Sequence, residues 1–164
     1  MLTLLFDMNK LWEEYIYRML VRASRADVKV NFQNNQKFWE GRTIRPDLVI
    51  TQTKEGDKKE VYIIDTKWKL LNSKNPKPSD DDLKQMYAYN MYWDAKKSML
   101  LYPGVPSDNE KFGSYWKGRE ESEDNKCKVG FVEVLNSNNE LNMDVGEEIL
   151  GKLGILSISN EMNH

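Results

Sequence analysis

RPDLVITQTKEGDKKEVYIIDTKWK, residues 45–69, is the stretch on which the fold turns. It reads as two short strands joined by a charged hairpin turn. The first runs from Arg45 to Thr51 and opens with Pro46, which a strand tolerates at its first position because no ladder donor is needed there. Lys54-Glu55-Gly56-Asp57-Lys58 supplies turn chemistry, and Glu60 to Thr66 is a β-branched, apolar run. Aspartate is depleted in strands, yet Asp47 stands at the start of the first strand and Asp65 closes the second. Side chains alternate along a strand, so Asp65 and Lys67 share a face about 6.5 Å apart. Pairing through the turn brings Asp47 to the same end as Asp65. Two carboxylates and one ammonium then converge at a sheet end, the outline of a metal-and-water site.

The composition narrows what such a site can do. The chain has 164 residues, enough for one domain with a buried core. No apolar run approaches the ~20 residues that span a bilayer, and MLTLLF at the start lacks the flanks of a signal peptide. One cysteine, Cys127, excludes an internal disulfide and a Cys-cluster zinc site, which fits a reducing cytoplasm. The one histidine, His164, is the last residue, so a Ser-His-Asp triad or an HExxH site is not expected. Carboxylates, lysine, tyrosine and an oxygen-liking metal remain. The formal net charge of −2 argues against a general basic coat. Basic residues gather at 18–29 and 65–77, and REESED at 119–124 reads as a solvated loop.

Taken in order, Met8 to about Arg22 is the best helix. Met8, Leu11, Trp12, Tyr15, Ile16 and Met19 form one apolar stripe, and Asp7 is its expected N-cap. Glu13 and Glu14 flank the stripe on opposite sides, and periodicity does not choose between them. Asp27 to Phe32 reads as a strand, followed by a polar loop from Asn34 to Lys37. Beyond the hairpin, 70–79 is a loop, and Ser79 caps a helix from Asp80 to about Ala95. Asp80, Asp81 and Asp82 suit its positive N-terminus and are not read as ligands. Gln85 and Tyr89 share one face of that helix. Lys97 to Tyr102 is a strand, Val105 to Asn125 a mobile loop or substrate-facing insertion, and Lys126 to Leu135 another strand. Phe112, Tyr115 and Trp116 read as an exposed loop or small satellite core rather than a cage for a base. A short helix near Val145–Leu153 and a frayed tail finish a mixed sheet with helices packed on it.

Pro46-Asp47, seventeen residues, then Asp65-Thr66-Lys67 resembles the PD-(D/E)xK nuclease superfamily, and Gln85-Met86-Tyr87-Ala88-Tyr89 its RecB-like branch. Five blocks in order narrow the resemblance to the nuclease domain of the McrC family: Phe6 to Glu13, Arg45-Pro46-Asp47, Asp65-Thr66-Lys67-Trp68-Lys69, Leu83 to Tyr89, and Leu100-Leu101-Tyr102-Pro103. The resemblance covers about 4–135 of a single domain over 1–164, with 136–164 as C-terminal helix and tail. It implies a restriction-endonuclease-like α/β fold, a mixed central sheet flanked by helices, and a metal-dependent DNA endonuclease of a McrBC-like system. It also implies Asp47 and Asp65 as metal ligands, joined directly or through water by Glu13 as the helix carboxylate, Lys67 as the catalytic lysine, and Gln85 and Tyr89 lining the site.

The implied cofactor is Mg²⁺, with Mn²⁺ able to substitute, and the implied partners are DNA and a McrB-like GTPase motor. In that family a region before the first helix is thought to engage the motor. Here Met1 stands almost directly before the helix, so the chain reads as a nuclease module alone or as a fragment. Two other functions are open at this point: a RecB-like exonuclease acting on ends, and a non-catalytic DNA-binding or assembly module with the nuclease fold. The visible lysines and arginines suit phosphates rather than base edges.

Overall fold

The computed structural model of the chain describes residues 7–155. His164, Phe6 and most of the expected tail lie outside them. Helix α1 (Met8–Ala23) is capped as expected: the Asp7 carboxylate accepts the Lys10 N–H at 3.2 Å. Its apolar stripe buries Trp12, Ile16 and Leu20. Strand β1 (Val28–Phe32) follows. In place of the polar loop expected at 34–37 comes a small separate hairpin, β2 (Gln36–Trp39) and β3 (Arg42–Ile44). Its residues are mostly exposed, so no alternation of apolar and polar residues marks it in the sequence.

The central hairpin is β4 (Leu48–Thr53) and β5 (Lys59–Thr66), antiparallel with Leu48 opposite Ile64. Helix α2 (Asp80–Trp93), capped by the Ser79 side chain, crosses over to β6 (Lys97–Pro103). The segment expected as a loop or insertion instead carries strand β7 (Gly113–Lys117) and the start of β8 (Glu120–Val132). The acidic run at 119–124 is therefore mostly strand, not loop. Helix α3 (Val145–Lys152) closes the described chain.

The six-stranded sheet has the order β1-β4-β5-β6-β8-β7. Strands β5, β6 and β8 run parallel, and β1, β4 and β7 pair antiparallel to their neighbours. Alternation divides the core between its faces. Leu48, Ile50, Tyr62, Ile64, Met99 and Leu101 pack with Trp12, Ile16 and Leu20 of α1 and with Val145, Ile149 and Leu150 of α3. Val49, Ile63, Leu100, Tyr102 and Phe131 pack with Met86 and Tyr89 of α2. Covered on both faces, these strands are the continuous apolar runs that the sequence displays. Tyr115 joins the α2 side, its hydroxyl donating to the Leu83 carbonyl at 2.6 Å, so it packs on the main core rather than in a satellite of its own. Among the described residues no helix is long and apolar enough to cross a membrane.

Helix α3 reaches α1 through a glycine. A Cβ at Gly146 would collide with the Met19 carbonyl and come within 2.7 Å of the Ala23 Cβ, whereas Gly151, one helix turn and a half further on, has nothing within 4 Å. The two positions should respond oppositely to the same substitution. Gly146→Ala is expected to destabilise by about 1–3 kcal/mol through overpacking. Gly151→Ala is expected to be neutral or to stabilise by up to about 1 kcal/mol, as alanine replaces glycine in an open helix position. Denaturant midpoints of both variants test this.

Candidate active site

The β4–β5 register carries Asp47 and Asp65 to one sheet end. Both have the parity of Val49 and Ile63, so both lie on the α2 face. Asp47 precedes β4, behind a buried Pro46, and its Oδ2 accepts the Thr66 N–H at 2.7 Å and the Thr66 hydroxyl at 2.8 Å. This fixes one carboxylate against the end of β5. Asp65 is buried at 5% exposure, and its Oδ2 meets the Lys67 Nζ at 2.9 Å. Lys67 lies just past the end of β5, its N–H held by the Leu101 carbonyl at 2.9 Å.

The helices complete the cluster. On α2, Gln85 donates to the Tyr89 hydroxyl at 2.9 Å, and Tyr89 donates to the Arg45 carbonyl at 3.0 Å. The helix periodicity thus pairs these two residues as expected, and Tyr89 ties α2 to the approach of Asp47. On α1, the two glutamates separate. Glu14 forms an exposed ion pair with Arg18 at 2.8 Å, while Glu13 accepts a hydrogen bond from Gln33 Nε2 at 2.9 Å. Gln33 in turn donates its N–H to the Asp47 carbonyl at 3.0 Å. Glu13 therefore faces the site through Gln33 rather than touching the aspartates. Trp12 anchors α1 at the same place, its Nε1 donating to the Leu101 carbonyl at 3.3 Å.

Three positions escape a sequence reading. Asp82 lies 3.3 Å from Lys67 Nζ and so belongs to the site as well as to the helix N-terminus. Its helix-end position explains an acid there, which hides the second role. Gln33 has a left-handed φ of 53° in an irregular segment, and Thr66 reads as an ordinary strand residue. No periodicity singles out either one.

The electrostatics follow from burial. Burial first, and then the charge of Asp47, push the Asp65 carboxyl up to about 7 against the opposing pull of Lys67. Burial also raises Glu13, with the Asp47 charge adding and the Gln33 hydrogen bond subtracting. Lys67 is pulled down by burial, but Asp65 and Asp82 outweigh it and hold the ammonium protonated. Burial, with Asp65 and Asp47 adding, raises the Tyr89 phenol and keeps it neutral. Among the described residues no three His, Cys, Asp or Glu side chains are gathered so as to hold a metal. What is gathered is an aspartate pair with a lysine beside it.

The fold is that of a restriction-endonuclease-like α/β domain, a mixed central sheet flanked by helices. Residues 1–103 match the McrBC 5-methylcytosine restriction system component family, and the chain belongs to that family. The resemblance to the McrC family read from the five sequence blocks is thereby borne out. Among solved structures, the chain is similar to one in the refined half-complex from a tetradecameric assembly of Thermococcus gammatolerans McrB AAA+ hexamers with bound McrC. The TM-score is 0.60 at 22% identity, covering 90% of this chain and 33% of that one. The chain thus spans about a third of that relative's length. No curated protein matches it.

The raised Asp65 has a measurable consequence. In the unfolded chain an aspartate ionises near pH 4, but in the folded one Asp65 holds its proton to about 7. Between those values the folded state carries the extra proton, so this group's contribution to stability falls as pH rises. In metal-free buffer, Asp65→Asn should gain in Tm relative to the parent between pH 5 and pH 8. A difference in Tm that stays constant over that range would show that Lys67 fully offsets the burial.

Proposed function

We propose that the chain is the cleaving module of a McrBC-like restriction system, a Mg²⁺-dependent DNA endonuclease that hydrolyses phosphodiester bonds. The observation that carries this reading is the meeting of Asp47, Asp65 and Lys67 at one sheet end in a chain of this family. The donor set fits a hard divalent cation. It consists of carboxylate oxygens without cysteine or histidine, and Mg²⁺ is commonly held by one or two carboxylates while keeping several waters. Asp65, buried and driven toward its neutral form, is where a divalent charge would reverse the penalty. Asp47 and Asp65 would hold the ion, with Glu13 reaching it through water.

When bound, the ion supplies a bound water of lowered pKa and neutralises charge at the phosphoryl group. The remaining work falls to side chains. Lys67, kept cationic by Asp65 and Asp82, offers its ammonium to the negative charge that grows on the phosphoryl oxygens. Asp47 is held in place by Thr66, so its orientation does not depend on substrate. Tyr89, neutral and fixed between Gln85 and the Arg45 carbonyl, would line the path of the scissile strand. A McrB-like GTPase would supply the motor, a reading supported by the family and by the McrB hexamers bound to McrC in the related assembly. The chain itself has no GxxxxGK[ST] loop for a nucleotide phosphate.

Closed circular plasmid is the discriminating substrate, because an exonuclease has no end to attack. With Mg²⁺ or Mn²⁺ the parent should cut it, and Asp65→Asn should cut at least about 100-fold more slowly while still binding DNA. Cutting by Asp65→Asn at the parent rate would remove the metal assignment, and attack on linear DNA alone would favour an end-directed enzyme. Glu13→Gln should slow cleavage by roughly 10–100-fold, as for groups that act on a metal through an intermediary. Glu14→Gln, which touches only Arg18, should leave the rate unchanged.

A further inference from the structure

The β2–β3 hairpin stands outside the six-stranded sheet and carries side chains that the fold does not use. Phe38 is 45% exposed and Trp39 57%. Lys37 and Arg42 are exposed, and among the described residues neither forms an ion pair; the Arg42 guanidinium lies 5.5 Å from the Trp39 ring centroid. The hairpin is nevertheless held in place. Tyr92 of α2 donates to the Phe38 carbonyl at 3.3 Å, and Ile44 packs on the α2-side core.

It also leads straight into the site. Ile44 ends β3, Tyr89 holds the Arg45 carbonyl, and Asp47 follows. Asp47 is five residue steps on from Arg42, a reach of at most about 18 Å, or roughly five base-pair steps at 3.4 Å. Lys37, Arg42 and Arg45 against Glu40 make this segment basic in a chain of net charge −2.

We propose that this hairpin is a DNA-contacting finger: Lys37 and Arg42 engage backbone phosphates while Trp39, with Phe38, wedges against a base step of duplex DNA beside the scissile phosphate. The inference rests on the nuclease reading for the position of the DNA. Apolar side chains inserted at a base step partly unstack it and bend the duplex, and aromatic faces stack on bases of any sequence. The cations favour DNA over a protein face as occupant. An apolar protein contact gains nothing from unpaired lysine and arginine at its rim, whereas phosphates supply their counter-charge.

The test uses the parent chain in EDTA, so that nothing is cut, and a short duplex containing 2-aminopurine, whose fluorescence rises on unstacking. Binding should raise the fluorescence. Trp39→Ala should weaken binding about tenfold and abolish the rise, Trp39→Phe should restore much of both, and Arg42→Gln should lower the salt slope by about one. Trp116→Ala, an aromatic 63% exposed on β7, should change neither. The variants are all at exposed positions, and their circular dichroism should match the parent. Trp39→Ala and Arg42→Gln binding and unstacking like the parent would overturn the proposal and leave the hairpin to a protein partner. Failure of the nuclease reading looks different: a parent that does not cut with Mg²⁺, yet loses affinity on Trp39→Ala, keeps the finger and discards the chemistry.

Discussion

The two hydrogen bonds from Thr66 to the Asp47 carboxylate are the contact on which the site depends. They close the β4–β5 ladder at the end where Leu48 faces Ile64, and they set the first carboxylate beside the second. A slip of one residue would turn every side chain of one strand to the opposite face, and Asp47 would leave the α2 side. Leu48, Ile50 and Ile64 pack with α1 and α3 while Val49 and Ile63 pack with α2, and a slip would undo both sets of contacts. The same packing that stabilises the sheet therefore also places the acids.

Around this pair, elements from both faces of the sheet meet. Helix α1 comes from one side through Glu13 and Gln33, and α2 from the other through Tyr89, Gln85 and Asp82. The Leu101 carbonyl accepts from both Trp12 and Lys67, so one backbone oxygen of β6 ties α1 to Lys67. Charge is unevenly compensated there. Lys67 answers Asp65 and Asp82, but burial and the neighbouring Asp47 still hold Asp65 toward its neutral form. A buried carboxylate left in that condition costs stability, and a divalent cation would relieve it.

Much of this was readable from residue order. Continuous apolar runs marked β4, β5 and β6, the stripe from Met8 to Met19 marked α1, and a DxK at a strand end marked the candidate site. The rest was hidden for physical reasons. The β2–β3 hairpin buries too little to leave an apolar pattern, and the first half of β8 is a charged, exposed strand that reads as loop. Asp82 was explained completely by the helix dipole, and Gln33 acts through backbone geometry that no pattern encodes. The choice of Glu13 over Glu14 came from the family resemblance, since helix periodicity does not separate the two; in the fold Glu13 meets Gln33 and Glu14 meets Arg18.

The central claim is that Asp47 and Asp65 form one divalent-metal site. Manganese binding followed by electron paramagnetic resonance, with no DNA present, tests it without relying on catalysis. The parent should bind a single Mn²⁺, with affinity increasing as pH rises through about 7 and Asp65 gives up its proton. Asp47→Asn and Asp65→Asn should each lose that binding, and Glu14→Gln should keep it. Equal Mn²⁺ binding by the parent and both aspartate variants would contradict the account.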